Sequence, residues 1–398
     1  MHCIADTERL ASEGIITTEQ AREIERRGRE AMVALAISTI LCFGIVAATA
    51  GLILWLADAA SVALFGALFV VGGLAILSKA GELYRMFGHA AVLIGTGMLL
   101  GGGSAELLQR FEGDGAWGIL GMGFVVAAVA GARLLRDGAP ARFVTGAVVV
   151  MGLAMHLGGA GVVLATHDAS GWLVSLFYLY AACAIAGVGW LIDVRFITAL
   201  AILPFAQMLD TGTFYLHAVY AFYSPEATLS ILQMAVLVAL CVRAHTRWAE
   251  RHARHARVLA MMGFITANLC ALVGSLWGDV VGESLWGPGA VPAPGQSWEE
   301  LRALREVFPE STITIGPEAF TVAWALALVA VVVASAVRAN RGLFNAALSF
   351  AGIHAYTQLF ESLGDEPLAY VVGGLGAIPV AWGIWRLNGW IALRGRPG

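Results

Sequence analysis

The chain has 398 residues, of which 59% are hydrophobic and only 13% are charged, and its mean hydropathy is +0.77. Soluble domains carry about 25% charged residues, so the composition excludes an ordinary soluble protein and predicts a polytopic membrane protein. The net charge of -4 at pH 7 is uninformative by itself, because the distribution of the charges carries the information. We predict no nucleic-acid partner.

Residues 1–30 are polar and are predicted to form a cytoplasmic helix pair. A first short helix ends in a turn at Gly14, and T-T-E-Q at 17–20 has the pattern of a capping box that opens a second helix. No cleavable signal peptide is expected, because the first apolar run is too long for one. We interpret the pair as an anchor; the alternative is a docking site for a protein partner.

Twelve apolar runs approach the length of about 20 residues that a helix needs to cross a bilayer. The chain is therefore predicted to be all-α, with about twelve transmembrane helices. The seventh run is interrupted by Pro204 and Asp210. In order, the runs are 31–56, 59–77, 88–108, 117–135, 143–165, 171–192, 196–217, 226–243, 257–277, 318–337, 342–360 and 368–386.

The basic residues predict the orientation of these spans. If the N-terminus is cytoplasmic, the even-numbered connections are cytoplasmic and hold thirteen Lys and Arg residues, whereas the odd-numbered ones hold only Arg110, Arg302 and Arg305. This bias fits the positive-inside rule and predicts a multi-pass protein of the bacterial inner membrane with both termini cytoplasmic. The thirteen are Lys79, Arg85, Arg133, Arg136, Arg142, Arg195, Arg243, Arg247, Arg251, Arg254, Arg257, Arg338 and Arg341.

An insertion at 278–317 is predicted to lie outside the membrane. Ser297 and Glu300 fit a capping box, and Trp298, Leu301, Leu304 and Phe308 form an apolar stripe at helical spacing before Pro309, which we expect to stop the helix. The helix is interpreted as a passive cover on the outer surface; a lid or a docking site for a protein partner is the alternative.

Three glutamines share a local pattern that suggests an internal repeat. Q-R-F-E at 109–112, Q-M-L-D at 207–210 and Q-L-F-E at 358–361 each combine Gln, a large apolar residue and an acid, and a glycine follows each. They lie on predicted spans three, seven and eleven, the third span of each group of four. The resulting division is 1–30 (cytoplasmic pair), 31–135, 143–243 and 257–386 (four-helix units, the last with the insertion 278–317), 244–256 (basic cytoplasmic loop) and 387–398 (cytoplasmic tail).

Each pattern extends to a polar helix face, since residues three or four apart lie on the same side of a helix. These faces supply the candidate binding residues for a substrate or ion, and we predict no catalytic residue, cofactor or metal. The candidates are Glu106, Gln109 and Glu112 on span three, Gln207, Asp210 and His217 on span seven, and His354, Gln358 and Glu361 on span eleven.

The predicted depth of each candidate in the membrane decides which of them is expected to be functional. At ~1.5 Å per residue, Gln109 lies about 31 Å from the start of its span, Gln358 about 24 Å, and Gln207 and Asp210 about 17–21 Å. The segment 109–114 is therefore interpreted as a solvated helix end. A carboxylate within the membrane is costly and marks a functional site by default, which makes Asp210 the best single candidate; a structural carboxylate paired with an amide or histidine is the alternative.

Two further features are interpreted as structural. His245, His252 and His255 lie in a basic segment that we expect to face anionic lipid, with metal binding as the weaker alternative. The glycine-rich segment 95–104 is expected to let helices approach closely.

The N-terminal E-R-L-A-S-E-G-I-I-T-T-E-Q-A and the segment G-G-G-S-A-E-L-L-Q-R-F-E-G-D resemble a family of uncharacterised bacterial membrane proteins. Members open with a cytoplasmic helix pair and carry Gln, an aromatic two residues on, and Gly-Asp at the end of the third span. Here Gln109, Phe111, Gly113 and Asp114 match that signature, with phenylalanine where tyrosine is commoner. The resemblance covers about the first 135 residues and implies no activity.

The sequence thus favours a transporter or channel for a small solute or ion, with a proton or cation involved and membrane lipids as its surroundings. The polar faces of spans three, seven and eleven would converge on one cavity. A non-catalytic scaffold or sensor is the alternative, and a membrane-embedded enzyme acting on lipid-linked substrates is the third.

Overall fold

The computed structural model describes residues 7–28, 58–79, 82–136, 142–209, 226–288, 297–338 and 340–363, with isolated helical positions at 44, 47 and 51 and between 368 and 386. Predicted spans one and twelve lie largely outside the described residues. The chain divides into two compact units, Met1–Val163 (unit 1) and Leu164–Gly398 (unit 2).

Within the described residues, eight helices are long and apolar enough to cross a membrane. They correspond to predicted spans two to six and eight to ten, and they confirm an all-α polytopic membrane protein. The eight are Ala59–Lys79, Phe87–Phe111, Gly115–Arg136, Phe143–Thr166, Trp172–Ile192, Ala227–Arg247, Glu250–Trp277 and Pro317–Val337.

Unit 1 begins with the helix pair that the sequence predicts. The turn at Gly14 has φ +74°, a left-handed value that glycine adopts without strain. The Thr17 N–H donates to Gln20 Oε1 (2.9 Å) and the Gln20 N–H to Thr17 Oγ1 (3.1 Å), so the capping box is confirmed. The helices of unit 1 are α1 (Thr7–Ser12), α2 (described over 18–28), α3 (Ala59–Lys79), α4 (Glu82–Phe111), α5 (Gly115–Arg136) and α6 (Arg142–Thr166).

Glycines let the helices of unit 1 pack backbone to backbone, as expected for the segment 95–104. A methyl group at Gly95 would lie 2.6 Å from the Gly66 carbonyl oxygen of α3, and one at Gly102 would lie 2.8 Å from the Ala59 carbonyl oxygen. Small residues drive close helix contacts in membranes, so α3 and α4 form a tight hairpin.

Unit 2 contains eight helices and two short strands in its described part. They are α7 (Trp172–Ile192), α8 (Arg195–Leu200), α9 (Ile202–Gln207), α10 (Ala227–Arg247), α11 (Glu250–Trp277), β1 (Asp279–Val280), α12 (Trp298–Ser311), β2 (Thr314–Ile315), α13 (Pro317–Val337) and α14 (Arg341–Leu363). Its core includes Ala271, Trp324, Leu328 and Phe350. Helix α14 coincides with predicted span eleven but is not among the eight apolar helices, because residues such as Asn345, His354 and Gln358 lower its hydropathy.

The segment 244–256, expected as a basic loop, is mostly helical. Helix α10 continues to Arg247 and α11 begins at Glu250, which leaves only Trp248 and Ala249 between them. The apolar runs predicted the end of α10 and the start of α11 several residues too far inside the membrane. A membrane helix can continue through charged turns beyond the hydrocarbon core.

The insertion 278–317 is built on a two-residue antiparallel pairing of β1 with β2, in which Asp279 faces Ile315. Helix α12 starts with the predicted capping box: the Ser297 N–H donates to Glu300 Oε2 (3.1 Å) and the Glu300 N–H to Ser297 Oγ (3.2 Å). The expectation that Pro309 stops this helix was wrong, since α12 continues to Ser311. Pro309 lacks the N–H for one helical hydrogen bond, and the helix ends two residues later instead of at the proline.

Candidate functional site

The predicted residues of span three lie at one end of α4 in unit 1. Gln109 is exposed, and Glu106 is half-buried with its Oε1 3.9 Å from Arg110 Nη1. Glu112 opens a single 3-10 turn, Glu112–Asp114, that leads directly into α5. This placement fits a solvated helix end, and ion pairs as exposed as Glu106–Arg110 contribute little to stability.

Predicted span seven is interrupted in the described residues. It consists of the short helices α8 and α9, which are separated at Ala201, and Gln207 is the half-buried last residue of α9. Pro204 has no N–H to donate to the carbonyl of Leu200, which weakens the continuity of the helix at this point. Asp210 and His217 lie outside the described residues.

A glutamine that the repeat pattern did not include contacts this interruption. Gln233 of α10 is buried, and its amide Nε2 donates to the carbonyl oxygen of Phe205 in α9. Its Oε1 is also buried and has no hydrogen-bond partner in the described part of the chain. A lone amide in an apolar span is a signal for an interhelical hydrogen bond, and this signal was available in the sequence.

One predicted residue of span eleven, His354, contacts a polar chain that joins α11 and α13. The His354 ring of α14 lies edge-on to the Trp324 ring of α13, with centroids 4.6 Å apart. Trp324 Nε1 donates to Asn268 Oδ1 of α11 at 2.9 Å, and Asn268 Nδ2 donates to the Phe264 carbonyl at 2.8 Å.

Two atoms of this polar face remain unsatisfied among the described residues. His354 Nδ1 and Gln358 Nε2 are buried and have no hydrogen-bond partner there. Asn268 and Trp324 also line a mostly apolar cavity of about 500 Å³ between α10, α11 and α13. Glu361 is helical, but its side chain lies outside what the structure describes.

The helices that carry two of the three predicted faces pack against a common neighbour. Helix α9 packs against α7, α10 and α11, and α14 packs against α13 and α11. Gln207 therefore lies on a helix that shares α11 with the helix of His354 and Gln358. Glu106 and Gln109 belong to the other unit, and the convergence of all three faces stays a prediction.

A polar cluster that sequence analysis missed joins α7, α8 and α11. Thr198 Oγ1 lies 2.7 Å from His255 Nδ1, and His255 Nε2 lies 3.0 Å from Asp193 Oδ1. Because a carboxylate only accepts, Nε2 carries the donated proton, and in the neutral ring Nδ1 accepts the Thr198 hydroxyl. Arg251 Nε lies 3.3 Å from Asp193 Oδ2. The expectation that His255 faces lipid was wrong, since it is only 3% exposed.

The order hydroxyl, imidazole, carboxylate is that of a hydrolytic triad, but the hydroxyl is inaccessible. Thr198 is 1% exposed, and Gly189 of α7 packs directly on it. A nucleophile must reach its substrate, so this cluster serves to hold three helices together. The hydrogen bond from His255, with the nearby Arg251 charge, lowers the pKa of Asp193 below its ordinary value.

Two buried carboxylates form a second missed cluster, at the other end of α11. Glu226, just before α10, accepts from the N–H groups of Gly282 (2.8 Å) and Ser284 (3.0 Å). Asp279 of β1 accepts from the N–H groups of Ala227 (3.0 Å) and Thr228 (2.8 Å) at the start of α10. Nothing local predicts these pairs, because their members are more than fifty residues apart.

In the described part of the chain, no group of three or more His, Cys, Asp or Glu side chains could hold a metal ion. The resemblance of the first 135 residues to a bacterial membrane-protein family stays a prediction. Comparison with protein-family models, with curated proteins and with solved structures found no match for this chain.

Proposed function

We propose that the protein is a transporter or channel for a small solute or ion, with twelve spans in a bacterial inner membrane. The observation that carries this proposal is the one-residue break at Ala201 between α8 and α9, three residues before Pro204, with the buried Gln233 amide bonded to the Phe205 carbonyl. Discontinuous membrane helices supply substrate and ion sites in many transporters, because their freed backbone groups and nearby polar side chains can bind a solute.

Buried hydrogen-bonding atoms that have no partner among the described residues support the same function. Gln233 Oε1 lies at the interruption, and His354 Nδ1 and Gln358 Nε2 lie on α14. Unpaired polar atoms in an apolar interior are costly, and a bound solute that pairs with them would remove that cost. Asp210 follows Gln207 by three residues and supplies the carboxylate for a proton or cation.

The test is flux through the purified protein in liposomes. Gradients of H⁺, Na⁺ and K⁺ are imposed in turn, and internal pH or cation concentration is followed with a fluorescent indicator. We expect Asp210→Asn to abolish the flux of the wild-type protein. The matched control is Asp168→Asn, an exposed turn carboxylate with φ 47° that asparagine also tolerates, and it should transport normally.

Wild-type flux through Asp210→Asn would overturn the assignment of this carboxylate. Absence of flux from the wild type in all three gradients would contradict a cation-coupled function.

A non-catalytic scaffold or sensor is the second candidate, and the exposed apolar residues of the α1–α2 pair favour it. Ile15 is 64% exposed and Ile24 is 48% exposed, which suits a surface that docks a protein partner. Under this function, deletion of residues 1–28 would impair activity in the cell while liposome flux of the shortened chain stayed unchanged.

A further inference from the structure

Unit 1 contains a cavity of about 870 Å³ between α3, α4, α5 and α6. Ligand pockets in proteins commonly have volumes of about 300–1,000 Å³, so this space can hold a substantial part of a lipid-sized molecule. None of the predicted polar faces contributes to its lining.

The polar side chains of the cavity gather at one end of unit 1. Ser78 is the next-to-last residue of α3, Arg133 lies three residues before the end of α5, and Thr145 lies three residues after the start of α6. At 1.5 Å per residue these positions are within about 5 Å of the helix ends. Consecutive helices alternate in direction, so the end of α3, the end of α5 and the start of α6 lie together.

His89 of α4 adds a hydrogen-bonding atom near this end. Its Nδ1 is buried and has no partner within the described residues, and its side chain lines the cavity. Arg133 is exposed, and its guanidinium is the side chain best suited to bind a phosphate or carboxylate through two donors.

The remainder of the wall is apolar. Val125 lies eleven residues before the end of α5, which places it about 16 Å from that end by the helical rise. Leu74, Val92 and Val148 line the cavity with it. No described lining residue is acidic. The cavity therefore combines a cationic, hydrogen-bonding mouth with an apolar interior that matches an acyl chain.

We propose that this cavity binds an anionic amphiphile, whose phosphate or carboxylate contacts Arg133 and His89 while its acyl chain lies along Val92 and Val125. Transport is not required for this binding. The ligand is an anionic phospholipid or a free fatty acid, because both present the same chemistry to the cavity.

Native mass spectrometry of the full chain in a neutral detergent tests the proposal. The probes are dioleoylphosphatidylglycerol, dioleoylphosphatidylcholine and oleate, each titrated and counted as bound molecules. We expect an anionic probe to bind in preference to phosphatidylcholine, and Arg133→Gln to weaken that binding about tenfold, since it removes a charge-assisted contact. Preference for phosphatidylglycerol identifies a phospholipid site, and preference for oleate a fatty-acid site.

Two further variants keep the result interpretable. Arg136→Gln removes an equal charge at the same end of α5, outside the cavity lining, and should leave binding unchanged. Val129→Trp adds bulk to the wall and should reduce the occupancy of the anionic probe even if Arg133→Gln fails to fold. Equal loss in Arg133→Gln and Arg136→Gln, undiminished binding to Val129→Trp, or equal binding of phosphatidylcholine would overturn the proposal.

Discussion

Asp193 connects the end of α7 to α11 through its two carboxylate oxygens. It ends α7 in the left-handed conformation, with φ 60°, and contacts His255 and Arg251 of α11. His255 in turn contacts Thr198 of α8. The first part of the interrupted span is thereby fixed to α7 and α11.

This contact predicts a pH-dependent contribution of Asp193 to stability. Because its folded pKa is lowered, the carboxylate stabilises the folded state above its unfolded pKa of about 3.9, and this contribution is lost as pH falls through the lowered folded value. Asp193→Asn should therefore lower the unfolding temperature at pH 7, and the difference from wild type should shrink below about pH 4. Thermal unfolding in detergent, followed by tryptophan fluorescence, measures both.

Asp168→Asn is the control at this scale, since Asp168 is exposed and also has a positive φ. It should unfold like the wild type at both pH values. A difference between wild type and Asp193→Asn that stays constant from pH 7 to pH 3 would contradict the role given to the carboxylate.

Sequence reasoning succeeded for residues whose partners are local. The capping boxes at Thr17 and Ser297 were predicted because both partners lie within three residues of each other. It failed for His255, because the neighbouring arginines led us to expect a surface residue. Its partners Asp193 and Thr198 are 62 and 57 residues away, and only the packing of α7, α8 and α11 brings them together.

At the scale of elements, the insertion 278–317 is attached to the start of α10 by reciprocal hydrogen bonds. The Glu226 carboxylate holds the turn after β1, and the Asp279 carboxylate caps α10 from outside its own sequence. Both residues are buried: Glu226 is 3% exposed and Asp279 is 8% exposed. Carboxylates that accept backbone N–H groups in such a setting form strong, charge-assisted bonds.

Glu226→Gln should therefore destabilise the protein. The amide retains one acceptor and presents an NH₂ group to a backbone N–H, which leaves a buried donor unpaired at a cost of about 1–3 kcal/mol. The unfolding temperature in detergent should fall, and a protease should cleave the insertion faster than in the wild type.

The matched change is Glu299→Gln, an exposed carboxylate in the first turn of α12. It should have little effect on either measurement. Equal behaviour of the two variants would show that the buried carboxylates do not hold the insertion.

Helices that are determined by the length of an apolar run could be predicted from the sequence, whereas features that depend on contacts between distant residues could not. Eight spans follow from apolar runs alone, and the interruption of span seven follows from Pro204. The ends of α10 and α11 do not, because the charged turns Arg243–Arg247 and Glu250–Arg257 continue the helices beyond the apolar core. The polar chain from Asn268 to His354 also needed the packing of α11, α13 and α14.

At the scale of the whole chain, the contacts in unit 2 support the predicted alternation of spans. Asp193, before span seven, contacts Arg251 and His255 near the start of α11. Glu226, after span seven, contacts Gly282 and Ser284 beyond the end of α11. Asp193 and Glu226 are thus at opposite ends of α11, as required if the chain crosses once between them, and this agrees with the register that the arginines predict.

The proposed topology can be tested by labelling single cysteines in a variant that lacks the five native ones. In intact spheroplasts, a membrane-impermeant maleimide should label Asp168→Cys and Glu299→Cys, which lie on connections proposed to be outside. Trp248→Cys, on the short α10–α11 connection, should be labelled only after permeabilisation. All three positions are exposed, so protection of Trp248→Cys reports the membrane barrier and not burial in the protein.

Labelling of Trp248→Cys from outside would reverse the proposed orientation. Equal labelling of Trp248→Cys and Glu299→Cys would contradict an odd number of membrane crossings between them, because α11 alone separates the two sites.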